Sequence, residues 1–230
     1  MNKDIITTVV ESSCRAIGDY AFHGCNRMES ISLPKSLTSI GNTAFYDCNR
    51  LERISLPEGL TSIGNSAFGY CGFSVIGLPS SLTYIGAGAF LYCQSLKSIT
   101  IPNGITEIKA NTFNGCHQLR SVKMGDNLTK IWEYAFANCD MRSVTIPNGV
   151  TIIGFAAFCS CSDLTRVSIP VSVTGIGPEA FSRCNELVTI SFNGTKAQWD
   201  KITKGYMWDY RVSAEEITCI DGNVSLSENN

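Results

Sequence analysis

The chain has 230 residues, 44% of them apolar and 17% charged, with a net charge of -2 and 11 cysteines. That length and apolar content support a self-sufficient core and exclude an intrinsically disordered chain. The near-neutral balance excludes a dominant electrostatic partner such as bulk nucleic acid, and no apolar run reaches the ~20 residues of a membrane helix, so no membrane insertion is expected.

Residues 1–13 carry Asp4 beside Lys3 and an apolar run too short for a signal-peptide core. They read as a partial repeat or N-terminal cap. From residue 14 to 194 one string recurs eight times in steps of 22 or 23 residues. Leu51 to Cys71, LERISLPEGLTSIGNSAFGYC, returns as LKSITIPNGITEIKANTFNGC from Leu96 and LTRVSIPVSVTGIGPEAFSRC from Leu164. Two copies drop one residue after the Cys, at Cys71-Gly72-Phe73 and Cys139-Asp140-Met141. Self-similarity at this period marks a stacked repeat architecture, in which each copy is too small to fold alone.

Within a copy, Leu51, Ile54 and Leu56 alternate as a short strand with one buried side. The proline that follows, such as Pro57, ends the strand because it offers no ladder donor. The glycine column from Gly18 to Gly177 predicts a tight turn with positive φ. An Ala-Phe pair and a Cys then supply the inner wall of the return segment. Residues 195–230 read as a C-terminal cap. Thr195 is placed to cap a short helix carrying Trp199 and Ile202, and Ile217–Ile220 with Val224–Leu226 flank Asp221-Gly222-Asn223 as a hairpin.

The pattern I-P-x-x-V-T-x-I-G-x-x-A-F-x-x-C resembles the BspA-like class of leucine-rich repeats. The closing residues, Gly194 to Trp199 and Cys219 to Gly222, are similar to that family's usual ending. The resemblance implies an α/β repeat solenoid: a right-handed leucine-rich-repeat coil with short parallel strands on its concave face and a C-terminal cap. It further implies a cell-surface or secreted adhesion-type module whose partners include host matrix proteins such as fibronectin and fibrinogen. The Asn ladder of the ribonuclease-inhibitor type is absent, since that column holds Ser36, Gly59, Ser81, Gly104, Asn127, Gly149 and Ser172.

Eight cysteines, from Cys25 to Cys184, occupy one column of the repeat, and Cys14, Cys159 and Cys219 lie outside it. Parallel Cβ vectors argue against disulfides, and a single file cannot converge on zinc. The column therefore reads as small buried thiols, with disulfides or metal as the alternatives. The two histidines, His23 and His117, lie in different copies and have no nucleophile at a motif spacing. No phosphate loop, nucleophile elbow or metalloprotease motif occurs, so neither catalysis nor a cofactor is expected.

Solenoids bind with faces, and the variable strand positions are where function should show. They hold mostly Ser and Thr, with Lys97, Arg120, Lys123, Arg142 and Arg166 gathered over the middle and later copies. This cluster suits an acidic protein segment or a glycan; the competing reading is an ordinary solvated face. Copies five and six replace the turn glycine by Lys109 and Trp132, and the proline by Gly125. There Trp132, Tyr134 and Phe155 are candidate outward anchors, against local repacking around altered turns. The expected function is a non-catalytic binding module; the alternative is a structural spacer or self-assembling element without a ligand site.

Overall fold

In a computed structural model of the chain, residues 6–226 are described; residues 1–5 of the N-terminal partial repeat and 227–230 of the cap lie outside them. Each turn of the coil lays down three segments and hands each to the next turn, forming three ladders. The front ladder holds the Leu-x-x-Ile strands, as where Ser143–Thr145 pairs in parallel with Arg166–Ile169 and that strand with Thr189–Phe192. The side ladder holds two-residue strands of the V-T-x-I segment, running from Ala16–Ile17 to Tyr84–Ile85 and from Glu107–Ile108 to Thr203–Lys204. Threonines reinforce it, with Thr61 Oγ1 donating to Thr38 C=O and Thr151 Oγ1 to Thr129 C=O.

The Ala-Phe segment forms the third ladder with an unusual backbone. Residues two before and two after the Phe take positive φ, as Tyr20 with Gly24, Thr43 with Asp47 and Glu179 with Arg183. This alternation aims every second N–H at the following turn: Thr43, Phe45 and Asp47 donate to Asn65, Ala67 and Gly69 at 2.7–2.8 Å. The expected positive φ of the Gly18 to Gly177 column is thereby corrected, since none of those glycines is among the positive-φ residues. They serve close approach instead. A Cβ on Gly64 would sit 2.6 Å from Asn42 N, and one on Gly154 2.7 Å from Trp132 C. Where the column holds Lys109, the strand Glu107–Ile108 does not pair with Tyr84–Ile85, and the side ladder splits there.

The core is a pair of files along the axis. Phe22, Phe45, Phe68, Phe90, Phe113, Phe136, Phe158 and Phe181 stack with centroids 5.1–5.6 Å apart and planes within 14°. Beside them the column cysteines are buried and unbridged. Each thiol from Cys48 to Cys184 donates to the carbonyl of the preceding turn's Phe, as Cys116 Sγ to Phe90 O at 3.2 Å. Burial raises the thiols of Cys71, Cys116, Cys139 and Cys161, and pushes those of Cys48 and Cys93 up to about 12. They are inert apolar filler.

The cap contains a ninth turn. Asp209 lies 28 residues after Phe181 (209 minus 181), and Met207 and Arg211 beside it have positive φ. Glu179, Phe181 and Arg183 donate to Tyr206, Trp208 and Tyr210 in the ladder pattern of earlier turns. Trp208 stands in the Ala place and meets Phe181 edge-on at 6.2 Å. The helix Lys196–Trp199, closed by a Thr195/Gln198 capping box, enters before this turn. Strands Glu216–Cys219 and Gly222–Ser225 then form an antiparallel hairpin on the front ladder. That four-residue helix is the only one among the described residues, so the coil is built of strands and turns and the α/β description narrows accordingly.

The front ladder breaks twice, between Arg53–Ile54 and Val75 and between Ser121–Lys123 and Ser143–Thr145. Both breaks fall on the two shortened copies. In full-length copies a Cys-x-x-Leu turn closes with the Leu N–H on the Cys carbonyl, as Leu51 on Cys48 and Leu119 on Cys116, both at 2.9 Å. With one residue fewer, Phe73 and Met141 take the Leu place, fully buried, but no such bond forms. The segment must run straighter to cover the same span, which draws the first strand residue away from its neighbour.

Candidate interaction surface

The front ladder presents its variable residues to solvent because side chains alternate along a strand. Ile99, Val144 and Ile190 point inward, and Ser98, Thr100, Ser143, Thr145 and Thr189 point out. Lys97, Arg120, Lys123, Arg142 and Arg166 are all exposed on this face. Arg120 N–H donates to Lys97 C=O at 3.0 Å, which sets those two in adjacent rungs, and Lys123 is in register with Thr100. Arg142 lies beside Thr165, whose N–H and hydroxyl both donate to its carbonyl at 2.9 Å. Arg166 registers between Ser143 and Thr189. Among the described residues, none of the five basic side chains forms an ion pair.

On this face a cleft of about 360 Å³ lies over the intact rungs Thr7–Val9, Ser30–Ser32 and Arg53–Ile54, and two more open at the breaks of the ladder. One of these two, of about 340 Å³, is lined by Arg120, Lys123, Asp126, Ser143 and Thr145 among others. The other, of about 390 Å³, is lined by Glu52, Arg53, Ser74, Ser95 and Lys97 among others. Arg142 and Arg166 line neither.

The aromatic candidates belong to other segments of the coil. Trp132 is half-buried after the side strand Lys130–Ile131, and its Nε1–H donates to Glu107 Oε2 at 3.0 Å. Lys109 Nζ meets the same oxygen at 2.5 Å, and Lys130 Nζ lies 5.4 Å from the Trp132 ring centroid. Lys109, and then the Trp132 N–H, hold the Glu107 carboxyl below its ordinary value. Tyr134 and Phe155 are half-buried and meet edge to face at 5.1 Å in the turn ladder. Among the described residues, no hydrogen bond, ion pair or ring contact joins these residues to the basic cluster.

A second aromatic feature on the turn side eluded sequence reasoning. His23 stacks on Tyr46 at 5.6 Å, Tyr46 meets Tyr70 edge-on at 5.3 Å, and Tyr70 stacks on Tyr92 at 5.0 Å. Tyr92 lies across Gly115, where a Cβ would fall 2.3 Å from the ring. The signal was a Tyr one or two places after the Phe in three successive copies. Among the described residues, no group of three or more His, Cys, Asp or Glu side chains could hold a metal ion.

A continuous coil of parallel strands, with an inert interior and a variable strand face, defines a leucine-rich-repeat solenoid, the architecture of protein-interaction scaffolds. The sequence profile of the BspA type leucine-rich repeat region (6 copies) matches residues 15–141 and again 83–206, and the chain belongs to this family. A leucine-rich repeat protein from Bacteroides ovatus is 29% identical, with a TM-score of 0.68 over 87% of this chain and 60% of that one. A leucine-rich cell surface protein from Faecalibacterium prausnitzii is 26% identical with a TM-score of 0.49, over 86% of this chain and 62% of that one. The pneumococcal vaccine antigen PcpA, 18% identical with a TM-score of 0.52 over 94% of this chain and 68% of that one, shares the fold. The chain thus spans less than two thirds of the length of the first two. No curated protein matches the sequence significantly.

Proposed function

We propose that the chain is a non-catalytic recognition module whose front face engages an acidic partner, a protein segment or glycan such as host matrix glycoproteins carry. The observation behind this reading is the cluster Lys97, Arg120, Lys123, Arg142 and Arg166: five exposed cations on one face, none ion-paired among the described residues. Small hydroxyl neighbours leave them accessible, and unpaired charges on a rigid scaffold steer association and set its salt dependence. The coil is right-handed, as crossovers between parallel strands almost always are, with the front ladder concave. Its setting is the cell surface or the secreted milieu, by family membership. Trp132, Tyr134 and Phe155 serve packing, because their rings are half-buried and the Trp132 N–H is already bonded.

The test is binding to immobilised fibronectin and fibrinogen across a salt series. Wild type should bind and weaken with salt, and Arg120→Glu with Arg142→Glu should lose at least tenfold in affinity. Unchanged binding by the double variant would remove the basic cluster from the mechanism.

A second reading, a self-assembling spacer, is favoured by the outer edge of the strand Thr7–Val9. That edge has no strand partner among the described residues, and Val9 is 74% exposed. It predicts concentration-dependent association of wild type without any ligand.

A further inference from the structure

The two shortened copies change the front face in one way. At six other junctions the residue after the Leu donates its N–H to the carbonyl one turn back, as Glu52 to Glu29, Lys97 to Ser74, Arg120 to Lys97 and Thr165 to Arg142, with all six at 2.8–3.2 Å. The two bonds that would complete the series, Ser74 to Glu52 and Arg142 to Arg120, do not form. Among the described residues those two N–H groups and two carbonyls have no protein partner, and a cleft opens beside each pair. Every other rung of the ladder is closed by its neighbour, so each missing residue leaves an open backbone edge, and a cavity lies beside it.

The chemistry of the two clefts is alike. One holds Arg53 and Lys97 with Glu52, and the other holds Arg120 and Lys123 with Asp126, so each carries one net positive charge. Each also offers hydroxyls, Ser74 and Ser95 in one, Ser143 and Thr145 in the other. A guanidinium, an ammonium and a hydroxyl make a donor set for a carboxylate in each, to which the first cleft adds the free Ser74 N–H. Between the breaks lie the strand position of Val75 and the strands Ser98–Thr100 and Ser121–Lys123. Three strand spacings of ~4.8 Å therefore separate the two breaks, and the anchors Arg53 and Lys123 across them, roughly 14 Å. In an extended peptide, at ~3.4 Å per residue, that is the distance between side chains four residues apart.

We propose that the front face binds an extended acidic peptide across its strands, seating carboxylates of residues i and i+4 in the two clefts left by the shortened copies. The proposal rests on the front-face reading above and adds to it a ligand class and a spacing. Two weak anchors on one rigid frame reinforce each other only when the ligand's spacing matches theirs, so affinity should depend on register and not on charge alone.

The probes are three uncharged-ended decapeptides of Gly and Ser carrying two Glu residues at i and i+2, i and i+4, or i and i+6, followed by fluorescence anisotropy at low salt. Wild type should bind the i+4 peptide about tenfold more tightly than either other. One Asn inserted after Cys139 restores the length of full copies such as Cys48-Asn49-Arg50-Leu51 and keeps every basic side chain. That variant should keep its urea midpoint and lose the spacing preference. The pair Arg53→Gln and Lys123→Gln, both exposed side chains, should abolish the preference without any change of backbone, and serves if the insertion fails to fold. Equal affinity for the three peptides in wild type, or an undiminished i+4 preference in either folded variant, overturns the proposal. In that event Arg120→Glu with Arg142→Glu still decides the front-face reading on its own. A linear sulfated polysaccharide that competes equally in wild type and insertion variant, with no peptide spacing preference, points to unspecific charge attraction and also overturns it.

Discussion

Alkaline pH should unfold this protein through its cysteine column. Cys48 and Cys93 are neutral thiols in the folded state, and burial raises their pKa from 9.0 to about 12. Cys71, Cys116, Cys139 and Cys161 are shifted in the same direction by the same cause. The unfolded chain loses these protons above pH 9 while the folded chain holds them. Between those pH values the native state binds more protons, so stability falls as pH rises. The stability in question is fully present below about pH 9 and is lost as pH climbs toward 12. At pH 10 the loss is about 1.4 kcal/mol per thiol with such a shift, or about 3 kcal/mol for Cys48 and Cys93 together. The other four add to it, against a total stability of order 5–15 kcal/mol for a domain.

The measurement is urea unfolding followed by far-ultraviolet circular dichroism at steps from pH 7.5 to 10.5, with a thiol reductant present. Cys93→Ala isolates the column's share. At neutral pH it should cost about 1–2 kcal/mol, since it removes one buried sulfur and the bond to Phe68 O, which keeps the Cys71 N–H. Near pH 10 it should lower the slope of stability against pH by about 1.2 kcal/mol per unit. An unfolding midpoint that is flat from pH 8 to 10.5, or a Cys93→Ala variant with the full wild-type slope, would refute the argument.

Three further outcomes follow from the same core. Alkylation of native protein at pH 8 should label Cys14 and Cys159, which are half-exposed, and spare the column; mass spectrometry of the labelled chain reads this directly. Phe113→Ala removes a ring stacked at 5.3 Å on both Phe90 and Phe136 and should cost about 3–5 kcal/mol. A double-mutant cycle with Phe136 should give a coupling of about 0.5–1.5 kcal/mol. Trp132→Phe should lower stability by about 0.5–1.5 kcal/mol through the lost bond to Glu107 and leave partner affinity unchanged; a loss of affinity with unchanged stability would make Trp132 an anchor instead.

The repeat period made much of this structure legible. Identical spacing puts Phe above Phe and Cys above Cys, so burial of both files follows from the string alone. What the string does not encode is which backbone group pairs with which. The glycine column looked like a set of positive-φ turns, yet the positive φ values fall on residues such as Thr43, Tyr70 and Arg183, which carry no sequence mark of it. They hold that conformation because three ladder bonds per turn fix it, and those bonds exist only once turns stack. The ninth turn is invisible to the repeat pattern for a related reason. Asp209 and Val212 replace the Phe and Cys, and the inserted helix lengthens the step, so only the hydrogen-bond pattern reveals the turn.

The shortened copies carry the same logic from fold to function. A solenoid whose copies were all equal would present a closed, uniform front ladder, with every backbone group satisfied and only side chains to distinguish one turn from another. Losing a residue inside a strand would flip its side chains to the wrong face. Both losses here fall instead between the Cys and the next Leu, where Phe73 and Met141 still reach the core and stay fully buried. The interior therefore keeps its packing through both copies, with Phe68 and Phe90 still stacked at 5.6 Å and Phe136 and Phe158 at 5.4 Å. The cost of each loss falls on the surface, as an opened rung flanked by cations. A coil that spends its sequence on a repetitive core has few ways to make one place on its face unlike the rest, and dropping a residue at a position the core does not feel is one of them.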